Sequence, residues 1–120
     1  MKVSQALTKR AQYILVYQRG RAWADSLVVM KALPNGLSLS RYGFAVTKKV
    51  GKAVQRNRLK RLLREIIRLQ SINSGWDIVF IVRREAVSAT HYQLKEAVTK
   101  LLAQAKLLRS NDEAVGSRFD

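Results

Sequence analysis

The chain has 120 residues, 48% of them hydrophobic, which is enough for one domain with a single core and too much for a polar disordered segment. Its 23 basic and 8 acidic side chains leave a net charge of +15, so a polyanionic partner is expected, either nucleic acid or an acidic membrane surface. There is no cysteine, which excludes disulfides and thiolate zinc sites and fits a reducing cytosol.

No apolar run reaches the roughly 18–20 residues of a membrane span. The opening MKVSQALTKRAQY has no signal-peptide h-region, so export is not expected. LTKRAQYILVYQRG predicts a first helix, with Thr8 as N-cap and Gly20 as its stop. Leu7, Ala11, Ile14 and Leu15 would form its apolar face, with Arg10, Tyr13 and Tyr17 as a neighbouring stripe. RAWADSLVVMKAL reads as extended, centred on Leu27 to Met30. Pro34-Asn35-Gly36 is turn chemistry and predicts a hairpin.

RYGFAVTKK alternates, sending Tyr42, Phe44 and Val46 to one side and Gly43, Ala45 and Thr47 to the other. The first set is bulky enough for a core. The second is small enough to let something large lie against the sheet. A helix is predicted from about Val54 to Leu69, and GWDIVFIVRR predicts a strand that is apolar from Ile78 to Val82 and hence central. Thr90 with Gln93 three residues on is a capping box for a last helix ending near Leu108. The chain reads as one α/β domain over 1–120, with an ordered core over about 7–108 and a flexible tail over 110–120.

The charge is concentrated in TKKVGKAVQRNRLKRLLREIIRL. From Arg41 to Arg68 there are ten basic residues and one acid, Glu65, a net of +9. On a wheel with Arg56 at zero and about 100° per residue, Lys60, Arg64, Asn57, Arg68 and Arg61 fall within about 140°. Leu69, Leu62, Ile66, Leu59 and Leu63 fall between about 220° and 340°. One face can seat on a sheet while the other presents a basic ladder. A solvated charged face is the bland alternative. Against it, like charges at i, i+4 with almost no acids destabilise an isolated helix, and arginine forks suit phosphate. Lys48, Lys49 and Lys52 continue the ladder around Gly51, in a loop whose amides could approach a phosphate. The reading is a nucleic-acid face. A helix-turn-helix would need a second helix close by, and a membrane-surface helix would need free leucines.

The segment RYGFAVTKKVGKAVQRNRLKRLLREIIRL closely resembles the signature of the bacterial ribonuclease P protein component, above all in Gly-Lys-Ala-Val followed by Arg-Asn-Arg. The likeness runs from about Leu7 to Leu108 and includes LTKRAQYILVYQRGR and WDIVFIVRR. It implies a two-layer α/β (α+β) domain of order αβββαβα, akin to a domain of a ribosomal protein. The Arg-Asn-Arg helix then lies in a left-handed crossover between parallel strands of a small mixed sheet. Periodicity alone would favour the right-handed connection.

The resemblance further implies a cytoplasmic bacterial protein, one copy per catalytic RNA, with precursor tRNA as substrate and no membrane or protein partner. The RNA removes the 5′ leader by hydrolysis with Mg²⁺ held mainly on the RNA; no catalytic or metal-binding protein residue is implied. Arg56, Asn57, Arg58, Lys60, Arg61, Arg64 and Arg68 would dock on the RNA subunit, with Lys48, Lys49 and Lys52 in the loop before them. Tyr13 and Tyr17 match aromatic positions bordering a leader cleft floored by Gly43, Ala45 and Thr47. Met30 stands at a third cleft position that is often aromatic in the family, and it offers no ring for stacking.

Other readings of these residues are structural. The two tyrosines could be packed at the boundary of the core with their hydroxyls in water. Trp23 and Trp76 suit structural roles, and His91 suits a cap or the surface. Asp25, Asp77 and Glu85 show no spacing of a nuclease centre. The competing functions are a ribosomal-type protein or RNA chaperone using the same face, and a metal-dependent nuclease acting alone.

Overall fold

A computed structural model describes residues 4–109. The expected tail over 110–120 lies outside the described residues. The chain opens with a short strand that the sequence does not announce, β1 (Ser4–Ala6), followed by helix α1 (Arg10–Arg19). Then come β2 (Arg21–Ala24), β3 (Val28–Pro34), β4 (Ser40–Ala45), α2 (Ala53–Arg68), β5 (Trp76–Val82) and α3 (His91–Gln104). A short 3-10 helix, Arg84–Ser88, joins the last two.

The sheet order is β1-β4-β5-β3-β2. β5 lies parallel to β4 and antiparallel to β3. The hairpin expected at Pro34-Asn35-Gly36 therefore does not form, because the most apolar strand inserts between its two arms. The turn itself exists, with Gly36 at φ 72°, and the Asn35 amide donates to the Gly75 carbonyl at 2.8 Å. The real hairpin is β2–β3. Asp25 makes its turn by accepting the Leu27 amide at 2.9 Å, an Asx turn inside the stretch expected to be continuously extended.

Residues facing each other across the ladder share a side of the sheet. Val28, Met30 and Ala32 of β3 face Val82, Phe80 and Ile78 of β5. These join Leu59, Leu63, Ile66 and Ile67 of α2 and the buried face of α3 in the main core. On the opposite side Val79 packs with Leu7 and Val16 under α1, flanked by Tyr13, Leu33, Ala45 and Ile81.

That division fixes a chirality. The crossovers β1–α1–β2 and β4–α2–β5 both join parallel strands and both step toward the β2 edge, yet their helices lie on opposite faces. Their hands are therefore opposite, so one breaks the right-handed rule. The resemblance assigns the left-handed one to α2.

Several element details differ from expectation. The cap of α1 is Lys9, and the Gln12 side chain accepts the Thr8 and Lys9 amides, each at 3.1 Å. Gly20 does end the helix, but at φ −74°, so its reason is space: an added Cβ would lie 2.5 Å from the Val16 carbonyl oxygen. The inward face of α1 is Tyr13 and Val16, while Ala11, Ile14 and Leu15 lie outside the core. On α2, Leu69 is exposed and Ile67 is buried, reversing the wheel. Leu69 already lies past the last helical residue, and Ile67 joins the main core. The α3 capping box forms as expected, with Gln93 N–H donating to Thr90 Oγ1 at 3.1 Å. That helix ends at Gln104 rather than near Leu108, because Lys106 turns left-handed at φ 60° and Leu108 bridges to Ile72.

Candidate RNA-binding surface

The basic arc of α2 survives folding, but Arg58, which the resemblance places with it, lies elsewhere. Asn57, Arg61, Arg64 and Arg68 are exposed, and Arg56 and Lys60 are half-buried at the rim. Lys48, Lys49 and Lys52 are exposed in the loop leading into the helix. The Lys52 amide is already committed, donating to Gln55 Oε1 at 2.8 Å. Arg56 Nε is enclosed and finds no acceptor among the described residues. Arg58 departs from the expected face. At about 200° on the same wheel it points away from the arc, and its Nη2 donates to the Ala89 carbonyl at 3.1 Å. It ties α2 to the segment before α3.

The expected leader cleft is partly rearranged. Gly43 is buried beneath Tyr13, where an added Cβ would meet the hydroxyl oxygen at 2.2 Å and ring carbons beyond it. Glycine is needed there for this close approach. The Tyr13 hydroxyl donates a long bond to the Leu7 carbonyl at 3.5 Å and lies near the Phe44 amide. Burial pushes its pKa above the usual phenol value, helped by neighbouring Tyr17 and opposed by the Phe44 amide. Tyr13 thus closes the edge of β4 just past the end of β1, and much of its role is structural.

Met30 is fully buried in the main core, opposite Phe80, on the face away from α1. It is not a cleft residue. The side-chain period of two places its neighbour Lys31 on the α1 face instead, in register with Val79 and Gly43. Lys31 Nζ donates to the Tyr17 carbonyl at 3.1 Å and stands 5.9 Å from the Tyr17 ring centre. Tyr17 is 39% exposed. On the α1 face Val29, Lys31, Ile81 and Ala45 remain half-exposed on one strip, which leads to exposed Thr47 and the basic loop. Sequence reasoning misses Lys31 through a one-residue slip in register.

The remaining candidates are structural. Trp23 and Trp76 pack against the main core, and His91 is exposed beside the Thr90 cap. Asp77 is held by Arg41 through Nε to Oδ1 at 2.8 Å and Nη2 to Oδ2 at 2.7 Å. Among the described residues no group of three or more His, Cys, Asp or Glu could hold a metal ion. No described helix is long and apolar enough to cross a membrane.

Comparison with known proteins decides the family, since the Ribonuclease P family profile matches residues 1–106. The chain belongs to the ribonuclease P protein component family. It is 46% identical to the ribonuclease P protein component of Dehalococcoides mccartyi over 120 residues, all of both chains. It is 44% identical to that of Pelotomaculum thermopropionicum over 112 residues, covering 92% of this chain and 100% of the relative. The solved RNase P protein of Thermotoga maritima superposes with a TM-score of 0.76 at 32% identity, over 82% of this chain and 96% of that one. The Staphylococcus aureus RNase P protein gives 0.79 at 30% identity, over 87% and 97%. Membership in this bacterial family makes the chain a component of a tRNA-processing ribonucleoprotein nuclease with an RNA partner.

Proposed function

We propose that this chain is the RNA-binding subunit of a cytoplasmic ribonuclease P whose RNA subunit hydrolyses precursor tRNA and releases the 5′ leader. Mg²⁺ is held mainly by that RNA, and one protein serves each RNA. The observation that carries the reading is the arc of mostly exposed cations on α2, continued by exposed Lys48, Lys49 and Lys52 in the loop to which the half-exposed strip leads. The arc suits the phosphates of a folded RNA. The strip suits a single strand, which needs cations for its backbone and a ring face for its bases.

The strip is tested with Tyr17→Ala in the reconstituted holoenzyme. A base–aromatic stack is worth about 1–3 kcal/mol, so precursor tRNA should bind about five- to 150-fold less tightly. Mature tRNA, which lacks the leader, should bind almost as well as to wild type. A packed boundary tyrosine would instead lower the melting temperature and weaken both ligands equally, which would remove Tyr17 from the leader site.

A further inference from the structure

Two groups far apart in the sequence meet in one cavity. β1 pairs with β4 only as far as Tyr42, and beyond that point the edge of β4 is covered by the Tyr13 side chain over Gly43. A cavity of about 270 Å³ lies there, lined by Leu7 and Tyr13 on the α1 side, Tyr42 and Phe44 of β4, and Lys60 and Arg64 of α2. Lys60 and Arg64 stand one helical turn apart on one face of α2, and neither has a partner among the described residues. Nothing acidic lines the cavity. Ring surface and two free cations therefore converge on a space closed at the back by a strand.

We propose that this cavity holds one unpaired ribonucleotide, its base against Tyr42 and Tyr13 and its phosphate on Lys60 and Arg64. A base in a duplex cannot present its face to such a recess, whereas a base splayed from a loop or a single strand can. Rings take any base by its π-face, and the cations fix the backbone beside it. The proposal rests on the reading of α2 as an RNA-facing helix. It adds a discrete nucleotide site, between that helix and α1, to what was a charged surface.

The test is an NMR titration of the full-length protein with adenosine 5′-monophosphate, adenosine and inorganic phosphate. The monophosphate should bind about five- to 150-fold more tightly than phosphate, the range expected for one stacked base. Its shifts should centre on the amides of Leu7, Gly43 and Phe44. Lys60→Met with Arg64→Met should bring its affinity down to that of adenosine with the spectrum still dispersed. Tyr42→Leu should bring it down to that of phosphate. Equal affinity for the monophosphate and phosphate, or shifts centred on the Lys48–Lys52 loop, would overturn the proposal. Binding of the RNA subunit by the wild-type protein, measured in parallel, tells failure of the cavity from failure of the RNA-facing helix.

Discussion

Asp77→Ala should destabilise the fold by about 2–4 kcal/mol, far more than loss of an exposed cation on α2. The carboxylate side chain is 8% exposed and takes two hydrogen bonds from Arg41, which is 21% exposed. Asn35 Nδ2 adds a third at 2.9 Å, which pins the turn after β3 to β5. Removing one partner of a buried ion pair costs about 3–5 kcal/mol, and the partial exposure of Arg41 lowers that somewhat. The same contact holds the Arg41 guanidinium pKa above its ordinary value, chiefly through the Asp77 hydrogen bond. Urea unfolding should show the midpoint falling at unchanged slope. Adding Arg41→Ala should restore part of the stability, since no orphaned charge then remains. A midpoint equal to wild type would mean that this pair does not hold the two parallel strands together.

Arg61→Ala combined with Arg64→Ala should weaken binding of the RNA subunit about ten- to 100-fold with the fold intact. Both side chains are exposed on the arc and make no bond within the described residues, so their removal leaves nothing buried unpaired. Each charge-assisted contact is worth about 1.5–3 kcal/mol at most, and solvent and salt reduce it. The plot of log affinity against log salt should become shallower by about two when the variant leaves two phosphates unneutralised. An unchanged affinity and an unchanged slope would assign this face to something other than RNA.

Much of the fold is legible in the chain because local rules and the global fold agree. The leucine and isoleucine spacing of α2 places that helix correctly. Gly43 and Ala45 take one face of β4 and Tyr42 and Phe44 the other, as the strand alternation requires. The misses have specific causes. Tyr13 to Tyr17 are five consecutive apolar residues that go right round α1, so no stripe marks its inner face; only the socket at Gly43 selects Tyr13. Met30 and Lys31 differ by one position, and a slip of one moves a side chain to the other face. The wheel already sets Arg58 at about 200°, off the basic arc, and only the resemblance places it on the RNA face. Ile67, by contrast, falls within the arc and is buried in the core. The hairpin at Pro34-Asn35-Gly36 is excluded by β5, which arrives only after the whole of α2, and no local signal announces such an insertion.

The central claim is that this protein binds RNA and the RNA subunit carries the chemistry. The most direct measurement is site-specific cleavage of precursor tRNA in Mg²⁺ by the purified protein, verified free of RNA, before and after the cognate RNA subunit is added. The account predicts no cleavage by the protein alone and release of the 5′ leader once the RNA is present. Robust cleavage at the mature 5′ end by the RNA-free protein would contradict it.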